Sequence, residues 1–273
     1  MIKTSKNACI SVLLVSICAV LLFVIPIPTN KGKGEVIIQL DSIALLIFKE
    51  LEQNMVFVEG GIFMMGSDVA SDDAKPIHQV FLDDYYIGKY EVTQQQWEAV
   101  MGNNPSYFKG ENLPVETITW DDVQQFILNL NKITGKQYRL PTEAEWEFAA
   151  RGGNQSNDHQ YSGSDILDDV GWYIENSRTS THVVGTKSPN ELGIYDMSGN
   201  VIEWCNDWYE HGYYSISPER NPQGAKTGGS DKYKIIRGGS YVSSERYSRV
   251  TLRSWATFSD KGQGVGFRLS LSV

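Results

Sequence analysis

Residues 193–209 read GIYDMSGNVIEWCNDWY, and this stretch gathers oxygen-bearing side chains around a glycine. Asp196, Asn200 and Glu203 fall within eight residues, and Gly199 between them permits a tight turn. Hard cations such as Ca²⁺ take about six to eight oxygen ligands from carboxylates and carbonyls, so this density suits a cation. The same side chains could instead cap backbone groups in a turn that binds no ion. From these residues alone, both interpretations stay open.

Further phrases surround this stretch in a set order along the chain. They are FVEGGIFMMGS (57–67), YYIGKYEVTQQQW (85–97), YRLPTEAEWEFAARGG (138–153), IIRGGSY (235–241) and GVGFRLS (264–270). Together with 193–209 they resemble the formylglycine-generating-enzyme (sulfatase-modifying factor) family, and the resemblance spans Met55 to Val273. It implies an α+β protein with the family's variant of the C-type-lectin-like fold. That fold has low regular secondary structure and a loop-rich C-terminal half.

Local patterns predict three helices and a hairpin. The expected helices start at Thr93 and stop at Gly102, run from Trp120 to Leu130, and begin at Pro141 with Thr142 and Glu145 as a capping pair and Gly152 as the C-cap. Alternating apolar residues around Gly60–Gly61 predict a β-hairpin. After Gly152 the periodicity almost disappears, so we expect long loops pinned by turns, side-chain hydrogen bonds or a metal.

The resemblance implies one structural Ca²⁺ in the turn. It carries this site over to the side chains of Asp196 and Glu203 and to the backbone carbonyls of Gly199 and Val201. The family's other calcium position falls where this chain is shortened, around 172–181, and is not carried over. The expected cofactor is therefore a single calcium ion.

The resemblance also identifies where catalysis would occur. Catalytic members oxidise a substrate cysteine to formylglycine with Cu(I), held by two cysteines just after the RGGS phrase. In this chain those positions are Ser243 and Ser248. Thiolates select Cu(I), whereas a neutral hydroxyl is a poor ligand for it. Cys205 is a single thiol and is expected to be a small buried side chain. Copper is therefore not expected, and no catalytic residue is assigned.

An enzyme of altered mechanism remains as an alternative. It would be a metal-dependent oxidoreductase of the formylglycine-generating or sulfoxide-synthase type, which acts on cysteine or sulfur compounds through a non-cysteine site. The sulfoxide-synthase relatives take their iron-binding histidines from a separate helical domain. Here His78, His159, His182 and His211 lie far apart in sequence and form no HxxxH or HxxE pair.

The C-terminal tract between Arg237 and Arg268 interleaves tyrosine, tryptophan, arginine and serine, a mixture that suits ligand binding. The residues expected to bind a ligand are Ser240, Tyr241, Ser243, Ser244, Tyr247, Ser248 and Trp255. Five of these are expected to be exposed, namely Tyr241, Ser243, Ser244, Tyr247 and Ser248. The arginines expected instead to brace the fold, by hydrogen bonding to loop carbonyls, are Arg237, Arg253 and Arg268. The sequence therefore favours a non-catalytic binding or scaffolding module for a protein or glycan ligand.

The N-terminus has the composition of an export signal. Residues 1–30 begin with basic residues and continue with an uncharged stretch, 8–28, which suits a signal anchor or a signal peptide. Residues 31–54 read as a linker with an amphipathic segment, and 55–273 as the domain. We therefore expect an exported protein of the cell envelope or periplasm, attached to the membrane through its N-terminal segment.

Composition excludes other classes. A formal net charge of −9 argues against a nucleic-acid partner, which normally meets a basic surface. The apolar content of 41% is ordinary for a globular protein with a sizeable core. Because Cys205 is the one cysteine of the predicted domain, no disulfide can form within it.

Overall fold

The computed structural model of the protein describes residues 42–228 and 232–273. Its helices are α1 (Ser42–Gln53), α2 (Gln94–Met101), α3 (Trp120–Thr134), α4 (Glu143–Ala150) and α5 (Leu167–Val170). Its strands are β1 (Met55–Val58), β2 (Gly61–Met65), β3 (His78–Leu82), β4 (Tyr85–Gly88), β5 (Tyr138–Arg139), β6 (Ile202–Trp208), β7 (Tyr233–Arg237), β8 (Ser254–Thr257), β9 (Val265–Gly266) and β10 (Ser270–Ser272). The predicted export segment, 1–30, lies outside the described residues. Within the described ranges, no helix is both long and apolar enough to cross a membrane.

The strands of the described residues form three sheets. The first has the order β1-β4-β10-β5 and joins the two ends of the domain, because β10 pairs with β4. The second is the antiparallel pair β2-β3. The third has the order β8-β7-β6-β9, in which β6 and β9 are parallel and the other pairs antiparallel. This mixture of helices and strands confirms the predicted α+β class.

The predicted hairpin around Gly60–Gly61 is wrong. β1 pairs with β4 and β2 pairs with β3, so the strands on either side of the glycines enter different sheets. Gly60 lies against the end of β3, where a Cβ atom would come within 2.3 Å of the Leu82 carbonyl oxygen. Its N–H donates to the Asp84 carboxylate at 2.8 Å. The glycine therefore permits a close crossing between two sheets instead of a tight turn within one.

The three predicted helices are confirmed, and each begins with a capping box. Thr93, Thr119 and Thr142 each accept a hydrogen bond from the backbone N–H three residues later. In each case, the side chain of that third residue accepts one from the threonine N–H in return. These reciprocal bonds satisfy donors that the first turn of a helix leaves unpaired.

The helix ends differ slightly from the predictions. α3 continues past Leu130 and ends at Thr134. In α4 the C-cap is Arg151, and Gly152 follows it in the left-handed region with φ of 93°. Pro141 lies before the N-cap and not in the first turn. The glycine supplies the conformation that ends the helix, one position later than expected.

Two clusters of buried apolar side chains form the main core. The first surrounds α4, where Trp146 is fully buried. In the second, Trp97 of α2 stacks on Phe126 of α3 with ring centroids 5.2 Å apart. α1 joins this second cluster through Phe48 and Leu51. The segment that the sequence placed in the linker thus packs as part of the domain.

Polar side chains hold the long loops that follow α4, as predicted. Asn190 is buried, and its Nδ2 donates to the Ala149 carbonyl at 2.8 Å and to Ser162 Oγ at 3.0 Å. Its Oδ1 accepts from the N–H groups of Leu192 and Ile194. One side chain therefore satisfies backbone groups from several loop segments.

Candidate functional site

The turn that precedes β6 is built from residues in left-handed backbone conformations. Asp196 and Asn200 have φ of 58°, and Gly199 has φ of 102°. A Cβ atom on Gly199 would lie 2.3 Å from the Trp172 carbonyl oxygen, so glycine is required there. Asn200 ties the turn to a neighbouring loop, because its Oδ1 accepts from the His182 N–H at 2.9 Å.

Three buried carboxylates, those of Glu91, Asp196 and Glu203, interact behind this turn with a single arginine, Arg268. Glu203 Oε1 accepts from Arg268 Nη2 at 2.6 Å, and its Oε2 accepts from Arg268 Nε at 2.7 Å. Glu203 Oε2 also accepts from Trp146 Nε1 at 2.8 Å. One guanidinium therefore serves a cluster with more carboxylates than cations.

Burial and this surplus of carboxylates raise the pKa values of two members of the cluster. Burial, followed by the charges of Asp196 and Glu203, raises the pKa of Glu91 well above its ordinary value. Burial also raises the pKa of Asp196 to about 6, although the Gly185 N–H donates to its Oδ2 at 2.6 Å. Additional positive charge would stabilise the ionised cluster.

Two of the four predicted calcium ligands, the side chains of Asp196 and Glu203, lie in this cluster, and their free acceptors suit a cation. Asp196 Oδ1 is buried and has no hydrogen-bond partner. Glu203 keeps one acceptor position at Oε1 beyond its contacts with Arg268 and Trp146. Across 42–228 and 232–273, no three His, Cys, Asp or Glu side chains group so as to hold a metal ion. A cation here would therefore also need backbone carbonyls, such as those predicted at Gly199 and Val201.

The predicted bracing arginines are confirmed as buried side chains. Their carbonyl partners are Val250 for Arg237, Asp73 for Arg253, and Gly88 and Tyr195 for Arg268. Carboxylates of α4, which no local pattern in the sequence indicates, add to these bonds. Arg237 donates to Glu143 and Glu147 at 2.7 and 2.6 Å, and Arg253 donates to Glu143 at 2.8 and 2.9 Å. Charge-assisted bonds of this kind fix the loops around α4.

The predicted ligand-binding residues divide into an exposed set and a buried set. The exposed or half-buried members are Ser243, Ser244, Tyr247 and Trp255. The buried members are Ser240, Tyr241 and Ser248. The expected exposure of Tyr241 and Ser248 is therefore wrong. Tyr241 packs edge-on against Phe108 with centroids 5.3 Å apart, and Ser248 lies under the backbone of Gly239.

The two serines at the predicted copper positions present hydroxyls in different settings. Ser243 Oγ accepts from the Ser240 N–H at 2.9 Å and lies 3.2 Å from Ser240 Oγ. Ser248 Oγ is buried without a hydrogen-bond partner among the described residues. Neither side chain supplies the soft thiolate that Cu(I) selects.

Cys205 is confirmed as a free, buried thiol. Burial, and then the charges of Asp207 and Glu143, raises the pKa of this thiol well above its ordinary value. The reactive thiolate is therefore disfavoured. The histidines contact separate partners, namely Tyr214 for His78, Asp165 for His159 and Trp172 for His182.

A groove with a volume of about 290 Å³ opens beside the exposed residues. Its lining includes Ser71, Asp73, Arg246, Tyr247, Arg253 and Trp255. Tyr247 and Trp255 were predicted from the sequence as ligand-binding residues, whereas Ser71 and Asp73 were not. Asp73 lies in a short 3₁₀ turn and precedes its partner Arg253 by 180 positions. No local pattern could have linked this turn to the C-terminal tract.

The protein has the α+β architecture of the C-type-lectin-like fold. Its features are small sheets, capped helices, a loop-rich second half and an acidic turn that requires glycine. The chain belongs to the formylglycine-generating-enzyme (sulfatase-modifying factor) family. Its residues 48–273 match the "Sulfatase-modifying factor enzyme 1-like domain". The resemblance carried by the sequence phrases is thereby confirmed.

Relatives of the chain bear names of different kinds. It is 38% identical over 251 residues to "Chaperone protein LppX" of Paenibacillus barcinonensis, covering 74% of this chain and 83% of that protein. It is 34% identical over 194 residues to the formylglycine-generating enzyme of Streptomyces coelicolor, covering 65% of this chain and 58% of that enzyme's length. Treponema denticola variable protein 1 has a similar structure, with a TM-score of 0.74 at 31% identity over 80% of this chain and 95% of that one. Family membership alone therefore leaves the activity open.

Proposed function

We propose that this chain is an exported, non-catalytic member of the family that binds a ligand or partner protein and acts as a binding or scaffolding module. The observation that carries the proposal is the serine pair at the copper positions. Ser243 uses its hydroxyl within a turn with Ser240, and Ser248 buries its hydroxyl. The family's copper chemistry therefore lacks its thiolate pair where it would have to operate.

The exposed part of the C-terminal tract would supply the binding surface. Tyr247 and Trp255 remain 47% and 45% exposed despite their size. Large aromatic side chains that stay exposed beside a groove favour contact with a ligand, because they bring large area at low entropic cost. Ser243 and Ser244 lie on the same tract, and the buried Tyr241 would support it from below.

Export and membrane attachment belong to the same proposal. Support comes from the basic start and uncharged stretch of residues 1–30. The ligand would then be a protein or glycan outside the cytoplasm. The acidic net charge of −9 disfavours a nucleic acid.

A single structural Ca²⁺ in the turn is proposed on the free Asp196 Oδ1 and the surplus of buried carboxylates. Asp196, Glu203 and the carbonyls of Gly199 and Val201 would hold it. We expect a calcium chelator to lower the melting temperature by several degrees, because an ion that binds the folded state stabilises it. Asp196→Ala should abolish this sensitivity. The control Asp158→Ala, at another aspartate with positive φ, should retain it. A melting curve that chelation leaves unchanged would exclude the ion.

A Cu(I) titration against a colorimetric chelator tests the proposal at the two serines. We expect no stoichiometric Cu(I) on the wild-type chain and a gain of Cu(I) binding in the Ser243→Cys/Ser248→Cys double variant, which restores two soft ligands. The single variant Ser243→Cys serves as control and should bind more weakly. One equivalent of copper or iron on the wild type, lost on Ser243→Ala or on removal of one histidine, would reverse the proposal in favour of an oxidoreductase.

A further inference from the structure

Trp255 ends a stack of aromatic and guanidinium groups that runs from the groove into the core. Its ring lies almost flat on Tyr209, with centroids 4.4 Å apart and an interplanar angle of 19°. The guanidinium carbon of Arg253 continues the stack, 5.3 Å from the Tyr209 ring and 4.2 Å from the Tyr214 ring. Tyr214 in turn packs on His78 at 4.6 Å. The stack fixes Trp255 while part of its surface still lines the groove.

Hydrogen-bonding groups form the floor of the groove. Arg253 is fixed by two bonds to Glu143, and its Nη1 donates to the Asp73 carbonyl at 2.8 Å. The Asp73 carboxylate accepts from the hydroxyls of Ser71 and Tyr209. Because a carboxylate can accept about four hydrogen bonds, Asp73 keeps capacity for a ligand hydroxyl. The floor thus offers an acceptor beside the Ser71 hydroxyl.

The charges around the groove nearly cancel. Arg246 places one cation at the exposed rim, 5.6 Å from the ring of Tyr247, and Asp73 places one carboxylate in the floor. Arg253 pairs with the buried Glu143, which it shares with Arg237, and Arg237 also pairs with the buried Glu147. A site without net charge favours an uncharged polar ligand over a strongly charged peptide, because charge complementarity selects partners.

We infer that this groove binds a glycan, with a sugar ring against Trp255 and its hydroxyls on Asp73, Ser71 and Arg246. This inference rests on the proposed binding function. A sugar ring is apolar on its C–H faces and carries hydroxyls around its edge, which matches a rigid aromatic surface bordered by donors and acceptors. The volume of about 290 Å³ suits a terminal sugar unit better than a long segment of polypeptide.

A glycan array probed with the full-length chain, kept soluble by a detergent without a sugar headgroup, tests this assignment. We expect binding to a subset of neutral glycans, and titration calorimetry with the strongest one should show at least a tenfold loss of affinity for Trp255→Ala. Trp255→Phe, which keeps a smaller ring, should recover part of that loss. The matched control is Phe57→Ala, because Phe57 is 46% exposed and lies outside the groove. The affinity of the Phe57→Ala variant for this glycan should equal that of the wild type.

Three outcomes overturn the inference. The first is an array of neutral and acidic glycans with no bound member. The second is a bound glycan whose affinity is unchanged by Trp255→Ala. The third is a peptide or protein ligand that depends on Trp255 in place of a glycan, which would leave the proposed binding function intact. Conversion of a cysteine substrate by the chain would instead refute the proposed function itself.

Discussion

Asp207 illustrates how burial changes the chemistry of single residues in this protein. Its Oδ2 accepts from the Glu143 N–H at 2.9 Å, at the start of α4. Burial, followed by the charge of Glu143, raises the pKa of Asp207 to about 8. Burial also lowers the pKa of nearby Lys234 to about 8, and its ammonium lies 3.9 and 3.8 Å from the rings of Trp120 and Trp208. Both groups resist ionisation in the folded state.

We predict that the wild-type chain loses stability relative to Asp207→Asn as the pH rises from about 5 to about 8. In the unfolded chain Asp207 ionises near 3.8, whereas in the folded chain it ionises near 8. Between these values only the folded state holds the proton, so the free energy of unfolding falls as the pH rises. Asparagine keeps the size and the acceptor oxygen but does not titrate.

Chemical denaturation at several pH values checks this prediction. Between about pH 5 and about pH 8, the difference in the free energy of unfolding between wild type and Asp207→Asn should change by an amount on the order of a few kcal/mol. Both proteins keep Glu91 and Asp196, so the comparison isolates the effect of Asp207. Parallel stability profiles for the two proteins would show that Asp207 is ionised in the folded state.

Single residues differed in how far the sequence could predict them. Arg237, Arg253 and Arg268 were correctly predicted as bracing residues, and Arg237 and Arg268 fall in the phrases IIRGGSY and GVGFRLS. Tyr241 was wrongly predicted to be exposed, since the ring that covers it, Phe108, comes from a distant loop. Asp73 was missed for the same reason, because only folding brings it to Arg253. A contact between two segments that are remote along the chain leaves no local pattern in the sequence of either segment.

At the scale of elements, α1 shows that the folded core extends beyond the stretch recognised in the sequence. Its first turns expose Ile43, Leu45 and Leu46, whereas Phe48 and Leu51 are buried against the cluster around α2 and α3. Ala44 and Ile47 also pack against this cluster, so the packed residues of α1 form one face along the helix.

We predict that Phe48→Ala lowers the free energy of unfolding by about 3 kcal/mol, because it leaves a cavity in the buried cluster that contains Trp97 and Phe126. The control Leu45→Ala, at a side chain that is 56% exposed, should change it by less than about 0.5 kcal/mol. Urea denaturation of both variants provides the measurement. Equal, small effects would mean that α1 is a linker and not part of the core.

Among the elements, helix starts were predictable and strand pairing was not. Each capping box depends on residues three apart, so Thr93, Thr119 and Thr142 mark helix starts within a short window. Strand pairing depends instead on which later segment of the chain folds back beside a given strand. The residues around Gly60 alternate as in a hairpin, yet β1 and β2 find partners in β4 and β3. Periodicity therefore identified strands without identifying their neighbours.

At the scale of the whole molecule, the buried ion pairs connect the sequence phrases that identify the family. Arg268 of the last phrase binds Glu203 of the phrase at 193–209, and Arg237 binds Glu143 and Glu147 of α4. Losing one partner of a buried pair is costly, so these phrases are required together. Ser243 and Ser248 lie outside this network of arginines and carboxylates. The architecture and the copper chemistry therefore depend on different residues, which explains how a family fold can persist without the family's thiolate pair.

We propose that this chain binds a ligand and does not generate formylglycine. To test this, the full-length chain is incubated with a cysteine-containing sulfatase peptide, Cu(I), oxygen and a thiol reductant that supplies the remaining two electrons. A catalytic family member is treated in parallel, and the peptide is followed by mass spectrometry. We predict that the catalytic member converts the peptide while the cysteine remains unchanged with this chain. Conversion of the cysteine to formylglycine by this chain, abolished by Ser243→Ala, would contradict the claim.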